Sequence, residues 1–391
     1  MEYVLHPKSE IDARVKRLQN LMGDLTGIIL FESIDLGYFS GTAQEGLLYV
    51  PRDAPPVLMI HKSLERAREE SPLEVRPRKS LKSLKADLSL PDDASIGLEL
   101  DVLHCNNYAK LQRALGKDTS FIDISEKIKH IRSVKSDFEI HLIREAARIL
   151  DAGISSVPDH LREGVREIDL AADVERAMRV LGHQGKVAYR RFNQELPMGH
   201  LMAGENAAIP SFVSSPTGGR GMSLFFPQGP GFRKIKRDEP VLVDFAGCYN
   251  GYIADETRIF CLGKLPVMLE DAHLVTLQIE KAIAEELRPG RTGREAFDLS
   301  EKEGTKLGYQ DFLGGPPGSK AGFIGHGVGL EIDEYPVLGP VDHEILENMT
   351  IAIEPKMIFP GLGVVGIEDT FLTGAMGAER LTRLPQEILR V

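Results

Sequence analysis

Short apolar runs separated by polar segments indicate alternating strands and helices in the first third of the chain. Apolar residues at three- and four-residue steps predict a helix over residues 10–24. Four runs have the length and composition of buried strands, and they lie at residues 27–31, 47–50, 56–60 and 95–99. Strands that alternate with helical segments predict an α/β layer of about 125 residues.

Longer helical patterns dominate the remainder. Apolar or small residues recur at helical spacing from Asp137 onward, and the same spacing returns at residues 166–181, 268–288 and 294–307. Strand-like runs lie between and after these helices, which predicts an α+β domain. We therefore expect two domains, residues 1–128 and residues 129–391.

One connection is unusually long. Residues 204–232 are rich in Gly, Pro and Ser and are predicted to form a loop. A loop of that length in a compact domain usually has a function, so we expect this one to have a functional role.

The first candidate chemistry is a pair of aspartates on a predicted hairpin. Two apolar runs flank a turn that contains Asn-Gly, a strong hairpin signal. A turn centred on Tyr249 and Asn250 places Asp244 directly opposite Asp255. A turn centred on Asn250 and Gly251 makes the two aspartates diagonal neighbours on the same face. Either register brings two carboxylates together, and buried like charges repel unless a cation lies between them.

A histidine and a second hairpin add three further groups. His326 is flanked by glycines on both sides, which leaves room for a ligand or metal to approach. A hairpin centred on Gly361 places Glu354 opposite Glu368. Pro355 suits a strand edge or a bulge. Taken singly, these features have plainer interpretations, namely a loop histidine with satisfied hydrogen bonds and unrelated acidic side chains.

Together, these side chains predict a site for two divalent cations. Four carboxylates carry the charge that two such ions balance, and the oxygen-rich set suits Mn, Co, Fe or Zn better than a structural zinc. Two ions about 3.5–4 Å apart can generate a bridging hydroxide and polarise a carbonyl group. The expected metal ligands are Asp244, Asp255, His326, Glu354 and Glu368.

Composition narrows the function classes. A net charge of −11, with no basic face, argues against a nucleic-acid partner. The three cysteines form no CxxC pair, so a disulfide framework is unexpected and a cytoplasmic location fits best. No apolar run approaches the roughly 20 residues that span a bilayer, and the first residues lack the apolar core of a signal peptide.

These motifs resemble the pita-bread metallopeptidase family, which includes methionine aminopeptidase, aminopeptidase P, prolidase and creatinase. The motifs that carry the resemblance are Val-Asp-Phe-Ala-Gly, Gly-His-Gly-Val-Gly-Leu-Glu, Ile-Glu-Pro and Gly-Ile-Glu-Asp-Thr, in family order. Residues 131–140 look like the linker after a creatinase-type N-terminal domain. The resemblance covers nearly the whole chain and favours the prolidase and aminopeptidase P branch.

The resemblance also implies roles for the candidate residues. Asp244 and Asp255 would hold one metal, with Asp255 bridging, while His326 would bind the other metal and Glu368 would bridge. Glu354 would be a ligand that also shuttles a proton, so we place Glu354 and His326 in the catalytic set. Proteins of this family are usually dimers, so we expect a homodimer.

Three departures from the family concern the groups that bind substrate. The second histidine of the family's peptidases is replaced by Asp333, the upstream histidine is absent around residues 224–229, and an arginine common in prolidase-like members is replaced by Gly366. An ionised aspartate only accepts hydrogen bonds, so Asp333 cannot stabilise an oxyanion. The candidate replacements that could contact substrate are His200, Arg220 and Arg258.

Three functions remain open at this stage. The first is an Xaa-Pro peptidase of the aminopeptidase P or prolidase type. The second is a metal-dependent hydrolase or lyase that acts on a non-peptide small molecule, in which Asp333, Glu331 and Glu334 attract a positively charged substrate. The third is a binding protein that keeps the fold without turnover.

Overall fold

A computed structural model describes residues 4–315 and 318–391 of the chain. The described residues divide after Arg132 into two compact units. None of their helices combines the length and apolar character required to cross a membrane.

The first unit is a mixed sheet with helices. Its strands are β1 (Gly27–Leu30), β2 (Gly46–Pro51), β3 (Val57–Ile60), β4 (Glu74–Pro77), β5 (Ser95–Leu98) and β6 (Ser120–Asp123). Its helices are α1 (Lys8–Asn20), α2 (Ser33–Ser40), α3 (Leu64–Glu70), α4 (Leu84–Asp87), α5 (Cys105–Leu115) and α6 (Ser125–Ser133). The sheet order is β4-β3-β2-β1-β5-β6, and β2 runs antiparallel to both of its neighbours.

The four strands predicted in this unit are confirmed, but β4 and β6 were missed. These two strands lie at opposite edges of the sheet, where most of their side chains are exposed. An edge strand with polar residues lacks the apolar run by which we recognised the others. The domain boundary expected between residues 128 and 129 falls within α6 and stays a prediction.

The second unit contains longer helices and three sheets. The helices are α7 (Asp137–Ile154), α8 (Val157–His160), α9 (Glu167–Val180), α10 (Val267–Glu286) and α11 (Gly293–Lys306). The strands are β7 (Gly199–Ala203), β8 (Val241–Tyr249), β9 (Tyr252–Cys261), β10 (Gly325–Gly327), β11 (Glu334–Leu338), β12 (Thr350–Ile353), β13 (Lys356–Phe359), β14 (Gly363–Gly366), β15 (Asp369–Gly374), β16 (Gly377–Arg380) and β17 (Leu389–Arg390). The predicted α+β class and the four predicted helices are confirmed.

The sheets of this unit bring distant parts of the chain together. One sheet has the order β17-β9-β8-β7, a second has the order β11-β10-β12-β15-β16, and β13 pairs with β14. Helix α7 packs on β8 and β9. The helix lies so close to β8 that only glycine fits at position 247. A Cβ atom there would lie 2.3 Å from the carbonyl oxygen of Ala146.

Two further local features of this unit are the start of helix α7 and the long loop at residues 204–232. Helix α7 begins with a capping box, in which Ser136 and Glu139 each accept a hydrogen bond from the other's backbone N–H. The predicted loop at residues 204–232 is irregular, apart from a 3₁₀ turn at Gly204–Asn206 and an isolated bridge between Ser223 and Phe226.

Candidate metal centre

The hairpin of β8 and β9 brings the two aspartates to one face of the sheet. Its turn lies at Asn250 and Gly251, both with positive φ (49° and 87°), as a type I′ turn requires. Ala246 pairs with Asp255, so Asp244 is a diagonal neighbour of Asp255. Of the two registers considered, the one centred on Asn250 and Gly251 is therefore correct.

The second hairpin has the predicted register, and its two glutamates lie where the chain changes sheets. Strand β12 pairs with β15 in one sheet, whereas β13 pairs with β14 in another. Glu354 lies in the break between β12 and β13, and Glu368 lies in the break between β14 and β15. Glu368 also forms a backbone bridge to Thr257 of β9, which brings the two hairpins together.

His326 lies on β10, beside β12. Its Nε2 atom is 3.4 Å from Glu354 Oε1, 3.8 Å from Glu368 Oε1 and 4.0 Å from Asp255 Oδ2. We had expected the glycines on both sides of His326 to leave room for a ligand, but the neighbouring strands fill that space. A Cβ at Gly325 would lie 2.3 Å from the Ala352 carbonyl oxygen, and one at Gly327 would lie 2.2 Å from that of Tyr335, so close strand packing requires both glycines.

These donors suit a single divalent cation. The donor atoms of Asp255, His326 and Glu368 all lie within 4.8 Å of one another, and Glu354 Oε1 adds a fourth. Ligands about 2.0–2.2 Å from an ion in tetrahedral geometry lie roughly 3–4 Å from each other. The spacing of Asp255, His326 and Glu368 therefore suits one cation with one nitrogen and two oxygen ligands, and Glu354 Oε1 lies next to this group.

A lysine that the sequence analysis missed occupies the other side of the cluster. Lys356 Nζ lies 2.8 Å from Asp244 Oδ2, 2.9 Å from Glu354 Oε2 and 2.8 Å from Glu368 Oε2. Its side chain is 1% exposed. The expected second cation would need these same oxygens, so the residues present fit one divalent ion and do not fit two.

Lys356 could have been found from its position in the strand. The predicted hairpin continued through Glu354 and Lys356, and side chains two residues apart on a strand point to the same face, so that prediction already placed Lys356 beside Glu354. A lysine next to the apolar residues Met357, Ile358 and Phe359 is a second signal, because buried lysines need a partner of opposite charge.

Burial and charge shift the titration of the groups around Lys356. Burial alone would raise the pKa of Asp244, but the charges of Lys356 and His200 outweigh it and hold that pKa well below its ordinary value. Burial would likewise raise the pKa of Glu354, but Lys356 and a hydrogen bond to His326 lower it. Both carboxylates are therefore ionised at neutral pH.

The groups on the histidine side shift in the opposite direction. Burial and the charges of Glu368 and Asp244 raise the pKa of Asp255 well above its ordinary value. Burial raises the pKa of Glu368 to about 7, against the opposing charge of Lys356. Burial would lower the pKa of His326, but its carboxylate neighbours raise it to about 10. The carboxylates on this side therefore hold protons more strongly than those of Asp244 and Glu354, and a divalent cation would have to displace those protons.

His200 adjoins the cluster. It lies on β7, in register with Asp244, and its Nε2 is 3.2 Å from Asp244 Oδ2 and 2.9 Å from Thr217 Oγ1. The buried imidazole therefore connects the carboxylate to the long loop, of which Thr217 is part. A role for His200 in contacting substrate stays a prediction.

Asp333, Glu331 and Glu334 carry less unbalanced negative charge than expected. Glu334 makes a 2.9 Å ion pair with Lys135, and Glu331 lies 3.5 Å from Arg190. Asp333 accepts a 3.1 Å hydrogen bond from the Arg190 backbone N–H. Because cations of the protein balance two of the three acids, the hypothesis that all three attract a positively charged substrate loses most of its basis.

Tyr189 is a further polar group that sequence reasoning missed. Burial and the negative charges of Asp333 and Glu354 raise the pKa of its phenol to about 12. The phenol is therefore protonated at neutral pH and can donate a hydrogen bond. No local pattern in the sequence distinguishes Tyr189 from an ordinary core tyrosine.

The two candidate arginines have different surroundings. Arg258 is fully buried and pairs with Glu256 at 2.6 Å and Asp369 at 2.7 Å, so its placement indicates a structural role and not contact with substrate. Arg220 has an exposed side chain, and its backbone N–H donates to Asn206 Oδ1. Among the residues that the structure describes, no contact connects Arg220 to the carboxylate cluster.

Comparison with known proteins assigns both parts of the chain. Residues 141–375 match metallopeptidase family M24, and residues 14–134 match the creatinase/prolidase N-terminal domain. An Xaa-Pro dipeptidase of Pyrococcus furiosus is 28% identical over 381 residues, which are 96% of this chain and 99% of that relative. An Xaa-Pro dipeptidase of Pyrococcus horikoshii is 24% identical over 384 residues, which are 97% of this chain and 99% of that relative.

Solved structures give the same assignment. The prolidase from Pyrococcus furiosus has a TM-score of 0.78 and 28% identity, and the match covers 95% of this chain and 99% of that one. The Xaa-Pro dipeptidase from Bacillus anthracis has a TM-score of 0.83, and the match covers 97% of this chain and all of that one. At 24% identity, the second likeness concerns the fold alone. The expected architecture, a creatinase-type domain followed by a pita-bread domain, is confirmed.

The M24 match covers more than half of the 391 residues, and the chain aligns with these relatives almost from end to end. The chain therefore belongs to metallopeptidase family M24 and is a hydrolase of the metallopeptidase type.

Proposed function

We propose that this protein hydrolyses the peptide bond next to proline in Xaa-Pro peptides, with the help of a divalent cation. The observation that supports this proposal best is the convergence of Asp255, His326 and Glu368 around one point within the M24 domain, with Glu354 Oε1 3.4 Å from His326. The end-to-end likeness to Xaa-Pro dipeptidases supports the choice of substrate class.

The bound cation, Glu354 and His200 would have different roles in hydrolysis. A divalent cation, when bound, would supply Lewis acidity to activate water and polarise the scissile carbonyl group. Glu354 is ionised and lies next to His326, so its carboxylate can accept a proton during the reaction. His200 orients the Asp244 carboxylate through its 3.2 Å contact.

The oxyanion needs a hydrogen-bond donor in place of the missing second histidine. Asp333 occupies that position in the chain and cannot donate when ionised. The phenol of Tyr189 remains protonated and experiences the charges of both Asp333 and Glu354. A protonated phenol can donate a hydrogen bond, which makes Tyr189 the candidate for this role. A manganese cofactor, a homodimer and a cytoplasmic location stay predictions.

The test is hydrolysis of a panel of Xaa-Pro dipeptides and Xaa-Pro-Yaa tripeptides by protein loaded with Mn, Co or Zn, next to a chelated control. We expect metal-dependent release of the N-terminal residue, and the preferred peptide length separates a dipeptidase from an aminopeptidase. Absence of cleavage by protein with bound metal would reject the proposal.

A second candidate is a metal-dependent hydrolase or lyase acting on a non-peptide small molecule. Two observations favour it: Lys356 lies among the carboxylates, and Asp333 replaces a donor histidine. The substitution Asp333→His distinguishes the two candidates. It should increase peptide cleavage if the site is a peptidase, and it should reduce turnover of the native substrate if that substrate depends on Asp333.

A further inference from the structure

Lys356 is a buried positive charge that contacts three carboxylates. An ammonium group has three N–H donors, and Lys356 directs them to three different carboxylates, those of Asp244, Glu354 and Glu368. The lysine side chain is 1% exposed, and those three carboxylates are at most 12% exposed. The ammonium is therefore a fixed part of the interior.

Two of the three carboxylates divide their oxygens between the lysine and the histidine. Glu354 and Glu368 each direct Oε2 to Lys356 Nζ, and each leaves Oε1 within 3.8 Å of His326 Nε2. A carboxylate that bridges two metal ions divides its oxygens in the same way. In this chain the Lys356 ammonium takes the place of one of those two ions, next to the Oε2 atoms of Glu354 and Glu368.

The second hairpin is shaped to admit the lysine. Strand pairing places Lys356 opposite Gly366. A Cβ at Gly366 would lie 2.7 Å from the Pro355 carbonyl oxygen, 2.8 Å from Lys356 Cα and 3.0 Å from Lys356 Cγ. A larger residue at position 366 would therefore push the lysine stem away. Glycine at position 366 thus leaves room for the lysine paired with it across the hairpin.

We propose that this protein binds one divalent cation per chain, and that the Lys356 ammonium permanently replaces the second cation. The ion would be held by Asp255, His326, Glu354 and Glu368, while Asp244 would pair with the lysine and would not be a metal ligand. One divalent ion and one lysine bring three positive charges to four carboxylates. A second ion would have to enter against the adjacent ammonium, with which it would compete for the same oxygens.

The inference rests on the proposed function only in that a cation binds at this site. It is tested without substrate, so a failure to cleave peptides leaves it standing. The measurement is the number of ions per chain, determined by equilibrium dialysis against fixed free Mn²⁺ or Zn²⁺ and elemental analysis. We expect one ion per chain in the wild-type protein, and a count of two would overturn the proposal.

Substitution of the lysine tests its role directly. Lys356→Ala removes the ammonium and should raise the count from one ion toward two. A count that stays at one would show that the lysine is not what excludes the second ion. Lys135→Ala is the matched control, because Lys135 is also 1% exposed and pairs with one carboxylate at 2.9 Å. Its count should stay at one.

Asp244→Asn keeps the test decisive if Lys356→Ala does not fold. Asp244 touches the ammonium and His200, so the variant should still bind one ion per chain at saturating metal, with an affinity lowered by about 10–100-fold at most. A two-ion site would instead lose one of its ions. His326→Ala removes the nitrogen ligand, and its count should fall toward zero at the same free-metal concentration.

The spectrum of the Mn²⁺-loaded protein gives an independent reading. A single Mn²⁺ per chain should give an isolated six-line electron paramagnetic resonance signal. Two adjacent Mn²⁺ ions would give an exchange-coupled spectrum. We expect the isolated signal from wild type and Asp244→Asn, and the coupled spectrum from Lys356→Ala. A coupled spectrum from wild type would contradict the proposal.

Discussion

Two charged clusters lie on opposite faces of the same strands. Along β9, Asp255 faces the candidate metal centre, while Glu256 and Arg258 face the other side, since successive side chains of a strand alternate. The chain around Glu368 and Asp369 alternates in the same way. We call the group of Arg258, Glu256, Asp369 and Glu280 the arginine cluster.

The arginine cluster is closed to solvent. Arg258, Glu256 and Asp369 have no exposed side-chain surface. Arg258 Nη2 contacts both carboxylates, and its Nη1 donates to the carbonyl oxygens of Thr257 and Glu368. In the candidate metal centre, by contrast, His326 is 15% exposed and Asp255 is 10% exposed.

Both clusters contain more acids than bases, and they differ in their exposure to solvent. Burial and the charge of Asp369 raise the pKa of Glu256 well above its ordinary value against the opposing effect of Arg258. Burial likewise raises the pKa of Asp255 and of Glu368 in the candidate metal centre. The metal centre opens to solvent, so a cation can enter. The comparison teaches that access, more than charge excess alone, distinguishes a metal site from a structural ion-pair network.

The largest effect should come from removing the central cation of each cluster. Arg258→Ala leaves buried carboxylates without a partner and should lower the free energy of unfolding by about 3–5 kcal/mol. Lys356→Ala should cost a similar amount in metal-free protein. Added Mn²⁺ or Zn²⁺ should reduce the loss for Lys356→Ala, because an ion can replace the ammonium, and should leave the loss for Arg258→Ala unchanged.

Urea denaturation of both variants and wild type, with and without metal, measures this difference. If metal restores the stability of both variants equally, exposure to solvent does not distinguish the two clusters. If metal restores neither variant, the position of Lys356 does not accept a cation.

A smaller effect should follow from crowding the lysine. Gly366→Ala places a Cβ within 3.0 Å of Lys356 Cγ and should cost about 1–3 kcal/mol, since neighbouring atoms must move. Gly322→Ala is the control, because a Cβ there would meet no atom within 4 Å. Its stability should stay within about 0.5 kcal/mol of wild type. Equal stability of the two variants would show that the hairpin does not need glycine opposite Lys356.

The smallest effect should be a change in pH dependence from Glu280→Gln. Burial and the charge of Asp369 raise the pKa of Glu280 well above its ordinary value, against the charges of Arg258 and Arg380. A carboxyl whose pKa is raised by folding stabilises the protein fully below its unfolded pKa, and the stabilisation is lost as pH rises through the folded pKa. Glutamine can still accept the hydrogen bond from Gln386 and cannot ionise.

The variant should therefore match wild type near pH 4 and become more stable than wild type as pH rises, as measured by thermal unfolding across that range. Glu285→Gln, on the exposed face of the same helix, is the control and should leave the pH dependence unchanged. A parallel pH profile for Glu280→Gln and wild type would show that protons do not balance the arginine cluster at Glu280.

Some features of the site were predictable because they depend on residues close in sequence. The apolar runs and the turn between them determine the pairing of β13 with β14, and the predicted register is the observed one. The first hairpin allowed two registers, and both placed Asp244 and Asp255 on one face. The observed register follows from Asn250 and Gly251, whose positive φ values fit the turn.

The role of Lys356 depended on residues far apart in the chain. Its partner Asp244 is 112 residues away, and no local pattern shows that the two side chains meet. The arginine cluster likewise needed Asp369 next to Arg258, 111 residues apart. We predicted two cations from the spacing of five side chains and from their negative charge, and a charge count of that kind cannot include a positive group whose position is unknown. The number of ions stays a prediction.

The sequence by itself determined the secondary structure of the main helices and strands, the two-part architecture and the carboxylate and imidazole groups that converge. Local propensity, strand alternation and turn chemistry fix these features over short distances. Only the tertiary structure decided on which side of the cluster Lys356 lies and which side Asp255, His326 and Glu368 share. Packing of distant strands sets those distances, and electrostatic interactions between buried groups depend on distance and burial.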